Sequence, residues 1–340
     1  MIELKNDSLV FSFSDVHPEA KLSIDFQRTL RIPDDGDDYP LPPGLGQFPL
    51  KHVDDFAENL PSSWIEHGGI MFPMYQSEAL WLNFSSEYLD ENATEYPFAV
   101  KIATGKINAI TGKEWSNSLN EDPQDYLVVP EQPWLDGYCV EKGIIRQFIA
   151  MPLGSGYSAE EQITGKGECG GLQIIAYPMK RKVFEKRFKK EVRSEVHEDL
   201  CYMSAPESAI ADMGLAPGGK MRQEIYDDPF DFNDWDTENA SRCFVHITNS
   251  LVWRAITEKN PPSVPLTASE YNNHGLPWFE YYDDSPALDG SDVLKKIKSV
   301  IQLGKEKGEN PLPENESVKP EQVVNLKSKL KKHQVREGSF

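Results

Sequence analysis

The chain has 340 residues, of which 39% are hydrophobic and 11% aromatic, enough to fill the core of one large domain or two ordinary ones. Its 55 acidic residues outnumber the 35 basic ones and give a net charge of −20 at pH 7. Such a charge repels phosphate backbones at long range and argues against a nucleic-acid-binding protein. No apolar run approaches the roughly 20 residues that span a bilayer. The N-terminal sequence MIELKNDSLVF carries acidic residues where a signal peptide has a basic region. We therefore expect a soluble, cytoplasmic protein.

Residues 1–178 are predicted to form a β-rich region of mainly antiparallel strands. The segment KLSIDFQRTLRI (21–32) shows the alternation of apolar and polar residues that a half-buried strand requires. The segment YPFAVKIATGKINAITG (96–112) predicts a β-hairpin with its turn at Thr104 and Gly105. Repeated β-branched runs and Gly/Pro turns favour antiparallel sheets, but they do not define the order of the strands.

Residues 179–198 interrupt the acidic chain with eight basic and four acidic side chains and predict a basic amphipathic helix. Apolar residues recur there at intervals of four and would form one stripe along the helix. These residues are Phe184, Phe188, Val192 and Val196. One interpretation is a surface helix that docks through this stripe on the acidic body, beside the aspartates of residues 227–236. The other is a contact for an acidic lipid or an acidic partner.

The rest of the chain is predicted to combine an acidic loop with a helical C-terminal region. Residues 199–240 are rich in turn-forming residues, and DDPFDFNDWD packs five aspartates into ten positions, which indicates a long acidic loop. Residues 241–340 are expected to be helical, with helices over 243–257, 291–303 and 321–332. The whole chain is therefore expected to be an α+β fold. Amphipathic C-terminal helices would complete the mainly antiparallel N-terminal half as one compact unit.

No metal-binding spacing and no nucleophile motif stands out. The sequence contains no GxSxG, no HExxH and no GxxxxGK[ST] motif. The four cysteines are at least 30 residues apart, so we expect free thiols, mostly buried, rather than a zinc site. No two histidines are at helical spacing, although His67, His246 and His274 could meet across the fold. We expect no metal site, and the sequence indicates no particular cofactor.

Polar residues embedded in apolar and aromatic segments are the most informative feature, because an unpaired polar group is costly to bury. Such residues could line a polar ligand pocket, or they could form a structural network that closes loops. The segments EQPWLDGY and GLPWFEYYDD add Pro-Trp dipeptides beside carboxylates and tyrosines. That mixture suits a carbohydrate or a cationic group, and also ordinary packing. The candidate ligand-binding residues are Gln76, Glu78, Lys101, Glu131, Trp134, Arg146, Trp278 and Tyr281.

These features favour a non-catalytic binding protein for a polar small molecule, a sugar or a protein partner. Neither nucleic acid nor a membrane span is expected. The alternative is a hydrolase or another enzyme whose site is assembled from distant residues, for which the sequence singles out no catalytic residue. A third hypothesis is a structural or self-assembling protein.

The sequence contains several distinctive longer phrases, which are FQRTLRIPDDG, YPLPPGLGQFPL, GKINAITG, VVPEQPWLDGYCVEKGIIRQFIAMPLG, EEQITGKGECGGLQI, GLPWFEYY, PLPENESV and QVREGSF. Together they resemble a family of uncharacterised, mainly microbial proteins. The resemblance extends over nearly the whole chain and implies one type of chain, but it brings no activity, ligand or catalytic residue. Some members are described as integral membrane proteins, which the hydropathy of this sequence contradicts.

Overall fold

The structure is a computed structural model that describes residues 1–86, 95–188, 212–282 and 285–327. Strands account for most of its regular structure. Within the described ranges they are β1 (Ile2–Lys5), β2 (Ser8–Ser12), β3 (Lys21–Thr29), β4 (Asp38–Tyr39), β5 (Gly44–Gln47), β6 (Lys51–His52), β7 (Ile70–Met74), β8 (Ala79–Ser86), β9 (Phe98–Thr104), β10 (Ile107–Asn108), β11 (Leu127–Val129), β12 (Trp134–Leu135), β13 (Gly137–Glu141), β14 (Ile144–Pro152), β15 (Leu172–Pro178), β16 (Met213–Arg222), β17 (Ser241–Asn249), β18 (Trp278–Tyr282) and β19 (Val323–Lys327).

The helices are short, with five to eight residues each. In the same ranges they are α1 (Ser62–His67), α2 (Ala159–Thr164), α3 (Arg181–Arg187), α4 (Ser250–Thr257), α5 (Ala268–Asn273), α6 (Asp292–Lys296) and α7 (Val300–Lys307), and two 3₁₀ segments span Asp54–Asn59 and Phe232–Asp234. Capping boxes begin α2, α5 and α7, because a side-chain oxygen there accepts a hydrogen bond from an otherwise unpaired backbone N–H. No helix within the described residues has the length and apolar character needed to cross a membrane.

The strands form two large sheets and one small one. The first sheet has the order β1-β2-β3-β8-β14-β16-β4, with β5, β12 and β13 paired beside this path. The second has the order β10-β9-β15-β17-β7-β6, with β11 paired to β9. Pairing in both is antiparallel except at β16–β4 and β17–β7, and β18 pairs with β19 in parallel. The fold is therefore α+β with mostly antiparallel sheets, as the sequence predicted.

The main core lies between the two large sheets. Along β3 the residues Leu22, Ile24 and Phe26 are buried while their neighbours are less so, because successive side chains of a strand point to opposite faces. The Phe26 ring lies 5.2 Å from Phe72 of β7 in the second sheet. The ring of Phe48 also lies 4.8 Å from Phe72. Aromatic side chains thus join the inner faces of the two sheets.

Short helices and loops cover parts of the outer faces. Val300 of α7 packs with Ile149 and Ala216 of the first sheet in a separate apolar cluster. Trp64 of α1 and Trp253 of α4 pack on the second sheet in another cluster.

The predicted acidic loop at 199–240 is wrong for the part that forms β16. Residues Met213–Arg222 pair along β14 inside the first sheet, although LAPGG suggests a turn. Gly219 does not form a turn here. A Cβ at this position would lie 2.3 Å from the carbonyl oxygen of Pro33. The missing side chain lets two backbones approach closely. Residues 199–211 of this prediction lie outside the described residues.

The helix predicted over 291–303 is divided into α6 and α7, since Ile297 and Ser299 are extended. Two other predicted helices of the region 241–340 are strands over part of their length. Residues 241–249 form the central strand β17, and only Ser250–Thr257 is helical. A helix was predicted over 321–332, but residues Val323–Lys327 form a strand paired with β18. The last five residues of this prediction lie outside the described ranges. In both places hydrogen bonds to a neighbouring strand decide the outcome, and local apolar spacing cannot report such pairing.

The basic segment forms α3, which docks as the surface-helix interpretation expects. Phe184 is 4% exposed, and its ring lies 4.2 Å from Tyr96 and 5.1 Å from His17. The Arg187 guanidinium lies 2.6 Å from the Asp234 carboxylate, which belongs to the aspartate-rich loop. Val192 and Val196 and the rest of the predicted helix, residues 189–198, lie outside the described residues.

We expect Phe184→Ala to lower the free energy of unfolding by about 3–5 kcal/mol, because it removes a buried ring and leaves a cavity. Phe188→Ala should cost less, since the Phe188 ring is only half-buried. Lys186→Gln, on the exposed side of α3, serves as the control and should change stability by less than about 0.5 kcal/mol. Urea denaturation checks all three, and equal losses for Phe184→Ala and Lys186→Gln would contradict the docking of α3 through its apolar face.

Candidate functional site

A cleft opens beside the turn between β7 and β8, at residues 75–78. Ser77 in this turn has φ of +67°, a left-handed conformation that is uncommon for a residue other than glycine. The turn is held in place because the Ser77 N–H donates to the Ala150 carbonyl at 2.7 Å. The Ser77 hydroxyl also donates to the Pro311 carbonyl at 2.9 Å. Strain that surrounding structure enforces is typical of functional sites, so this turn is a candidate.

Two proline-rich segments form the walls of the cleft. Residues 262–267 lie on one side, where the Tyr75 hydroxyl donates to the Pro262 carbonyl at 3.0 Å. Residues 311–314 lie on the other side, beside Ser77. The enclosed volume is about 270 Å³, slightly below the usual range for drug-sized ligands. A ligand of this cleft must therefore be small.

Glu78 lies in the floor of the cleft and forms a buried ion pair with Arg28. The Arg28 Nε lies 2.7 Å from Glu78 Oε1, and the backbone N–H of Tyr75 donates to Glu78 Oε2 at 2.8 Å. Arg28 also donates to the Ser263 carbonyl and lies 5.9 Å from the centre of the Phe48 ring. Burial raises the pKa of the Glu78 carboxyl, and the Arg28 charge opposes that rise. Each charge of the floor is thus balanced by the other.

Arg31 is a cation of the cleft without a close carboxylate partner in the described part of the chain. Its guanidinium donates to the Glu314 carbonyl at 2.8 Å and, at 3.4 Å, to the Ser77 carbonyl. Among the described residues no carboxylate lies within 4.0 Å of it. Burial lowers the pKa of Arg31, while Glu314 and Asp34 act against this from farther away. Arg31 is therefore a partly desolvated cation with N–H groups that remain available in a cleft.

Two of the predicted residues, Gln76 and Glu78, line the cleft. Gln76 is exposed at its edge, and Glu78 is buried in the floor. Lys101 lies elsewhere, in β9, where its Nζ is 2.6 Å from the Asp125 carboxylate and donates to the Ser118 carbonyl at 2.6 Å. The Lys101 contacts fasten the loop before β11 to the second sheet, which is a structural use of a buried charge.

Arg146 also serves a structural contact rather than the cleft. Its guanidinium donates to the Gly218 carbonyl at 3.2 Å and lies 3.9 Å from the Asp34 carboxylate. Asp34 in turn accepts a hydrogen bond from the backbone N–H of Ile301 at 2.9 Å. Burial lowers the pKa of Arg146. These contacts hold the loop after β3 and the start of α7 against the first sheet.

The predicted aromatic residues form a separate group. The Trp134 and Tyr281 rings pack edge to face with their centres 4.7 Å apart. Trp278 is fully buried, with the Tyr39 ring 6.0 Å away, and Glu131 is exposed. None of these four lines the cleft. The eight predicted residues therefore do not form one site, and the cleft contains two of them.

The sequence interpretation missed Arg31 and Ser77, and it also missed the partner of Glu78. Arg31 lies within an ordinary strand-and-turn segment. The left-handed conformation of Ser77 could not be predicted from the sequence, because a glycine usually marks such a conformation and position 77 is a serine. Arg28 and Glu78 are 50 residues apart, so only the β3–β8 pairing reveals their contact. The one usable signal was that Glu78 stands in an apolar segment.

The glycines at 165–170 match a GxGxxG pattern that the sequence interpretation overlooked. In the dinucleotide-binding motif this pattern follows a strand and begins a helix. Here Gly165 ends α2, and Gly170 precedes β15, so the order of elements is reversed. Gly165–Gly170 is a helix-to-strand connection and does not provide a helix N-terminus for a phosphate.

Of the three histidines that could meet across the fold, only His67 and His246 come together, with ring centres 6.3 Å apart. The His246 ring stacks on Trp64 at 4.4 Å, and burial lowers its pKa to about 4. His274 contacts the Glu270 carbonyl in α5 instead. In the described part of the chain no group of three or more potential ligands could hold a metal.

The cysteines of the described residues, Cys139, Cys169 and Cys243, are free thiols. Burial raises the pKa of Cys139 and of Cys243 to about 12. Burial and the Glu160 carboxylate raise the pKa of Cys169 as well. A thiol acts as a nucleophile in its ionised form, so none of these environments activates a cysteine.

Comparisons with family models, with curated protein sequences and with solved structures found no match for this chain. The family resemblance of the sequence phrases therefore stays a prediction. Function has to be inferred from the cleft, whose contacts and charges are those given above.

We expect Glu78→Gln to lower the free energy of unfolding by about 3–5 kcal/mol, because it leaves the Arg28 charge buried without its partner. The matched control is Glu141→Gln, which breaks an exposed pair with Lys295 at 3.2 Å and should cost about 0–1 kcal/mol. Chemical denaturation of both variants measures the difference. Similar losses would show that the cleft floor does not depend on its ion pair.

The contribution of Asp136 to the stability of the fold should fall as pH rises from about 4 to 7. Burial raises the pKa of this carboxyl to about 7, and one of its oxygens has no hydrogen-bond partner among the described residues. The folded protein thus keeps a proton that the unfolded chain releases above pH 4. The free energy of unfolding should decrease by up to about 1.4 kcal/mol per pH unit in this window.

Asp136→Asn should make this decrease smaller, whereas the exposed control Asp227→Asn should leave it unchanged. Urea denaturation at pH 5, 6 and 7 gives the slope for each protein. An unchanged slope in Asp136→Asn would mean that Asp136 is already ionised in the folded state at pH 5.

Proposed function

We propose that this protein binds a small polar molecule in the cleft and does not convert it chemically. The observation that carries this proposal is the state of the two arginines. Arg28 is neutralised by Glu78 in the floor. Arg31 lines the cleft, and among the described residues no carboxylate pairs with its N–H groups. A cleft with convergent polar donors and apolar walls is the usual form of a small-molecule site.

The contacts of Glu78 favour binding over catalysis. A general base must accept a proton from the substrate, but Glu78 already accepts hydrogen bonds from Arg28 and from the Tyr75 backbone. The cysteine environments described above do not favour a thiolate nucleophile either. A hydrolase or other enzyme is therefore the less supported function, and conversion of a bound compound would establish it.

We place this activity in the cytoplasm, with a small molecule rather than a nucleic acid as partner. Three free thiols in the described residues are typical of a reducing compartment. The net charge of −20 disfavours a polyanion. Protein partners are less supported than small molecules, because the cleft is enclosed by two segments and has little volume.

A thermal-shift screen of small metabolites tests the proposal, since a ligand that binds the folded state raises the melting temperature. For a compound that binds, Leu266→Gln should weaken affinity roughly tenfold by removing apolar contact from the cleft wall. Leu276→Gln is the control, because Leu276 is 43% exposed, close to the 49% of Leu266, and does not line the cleft.

Nuclear magnetic resonance of the same mixtures should show the compound unchanged after prolonged incubation. Equal loss of affinity in both leucine variants would place the binding site outside the cleft. New product signals that depend on the protein would replace the binding proposal with an enzymatic one.

A further inference from the structure

We propose that the ligand of the cleft is a small amphipathic carboxylic acid, whose carboxylate pairs with Arg31 and whose apolar part rests on Val264 and Leu266. This inference depends on the proposed function and names the chemical class of its ligand. It follows from the charge of the cleft, the geometry of the free donors and the exposed apolar side chains of one wall.

The surroundings of Arg31 favour an anion. The Arg28–Glu78 pair contributes no net charge. Glu314, the other described acidic residue that lines the cleft, offers Arg31 its backbone carbonyl, while its carboxylate lies more than 4.0 Å away. Arg31 is half-buried. Its guanidinium donates hydrogen bonds to two backbone carbonyl oxygens, at 2.8 and 3.4 Å. A partly desolvated cation without a close counter-charge is unfavourable. An anionic ligand would remove this cost.

The geometry of the donors favours a carboxylate. A guanidinium presents five N–H groups in a planar fork. Glu314 and Ser77 accept hydrogen bonds through their backbone carbonyls, and the remaining N–H groups stay available. Two parallel hydrogen bonds from such a fork match the two oxygens of a carboxylate. Asp34 and Glu314 act on Arg31 from beyond 4.0 Å and do not occupy this position.

The wall opposite the strained turn favours an apolar group on the same ligand. Val264 is 70% exposed and Leu266 is 49% exposed, and both line the cleft. Pro311 and Pro313 line the other wall. Burying these surfaces against an apolar group is favourable. A sugar is less suitable, because Tyr75 is the single aromatic side chain among the described residues that line the cleft.

Matched pairs of acids and amides test the inference, because they share size and differ in charge. Hexanoate with hexanamide and phenylacetate with phenylacetamide should be titrated into the protein by calorimetry at pH 7. We expect each acid to bind at least tenfold more tightly than its amide. Arg31→Gln should remove this preference, and Arg31→Lys should keep part of it, since lysine retains the charge but loses the fork.

Arg254→Gln is the control, because it makes the same change of charge at an exposed arginine of α4 and should keep the full preference. Circular dichroism and melting temperature establish that each variant is folded. Equal affinity for acid and amide, or a preference that survives Arg31→Gln, would overturn the carboxylate assignment while leaving ligand binding intact. Absence of binding by all four compounds, with other compounds bound in the cleft, would overturn it too. Failure of the whole thermal-shift screen would instead overturn the proposed function.

Discussion

The buried ion pair between Arg28 and Glu78 is the constraint on which the cleft depends. Two charges can be removed from water only when each finds its counter-charge and its remaining hydrogen bonds. Glu78 obtains them from Arg28 and from the Tyr75 backbone, and Arg28 also donates to Ser263. The pair therefore fixes the end of β3, the turn before β8 and the first proline-rich wall relative to one another.

The same requirement explains where the other polar residues of apolar segments lie. Lys101 in β9 reaches Asp125 and fastens one loop, and Arg146 in β14 reaches Gly218 and Asp34 and fastens another. Each buried charge thus closes a loop over a sheet. Lys101 and Arg146 therefore belong to a structural network that closes loops, whereas Glu78 lines a pocket.

The fold could be predicted where burial alternates along one strand or within one hairpin. The buried Leu22, Ile24 and Phe26 of β3 show this, and β9 and β10 form the predicted hairpin. Prediction failed for β16 and β19, because their pairing comes from strands far away in the chain. The site was harder to predict for the same reason. Glu78 stood out, but its partner depends on strand register, and nothing local distinguishes Arg31.

The overall charge makes these short-range contacts decisive for recognition. At −20 the chain repels small anions at a distance, but salt screens exposed charges beyond about 8–10 Å. What remains is the partly buried Arg31, acting over a few ångströms on a ligand already inside the cleft. An unpaired Glu78 carboxylate in the floor would oppose that attraction. Neutralisation of Glu78 by Arg28 therefore leaves Arg31 as the cation available to the proposed anionic ligand.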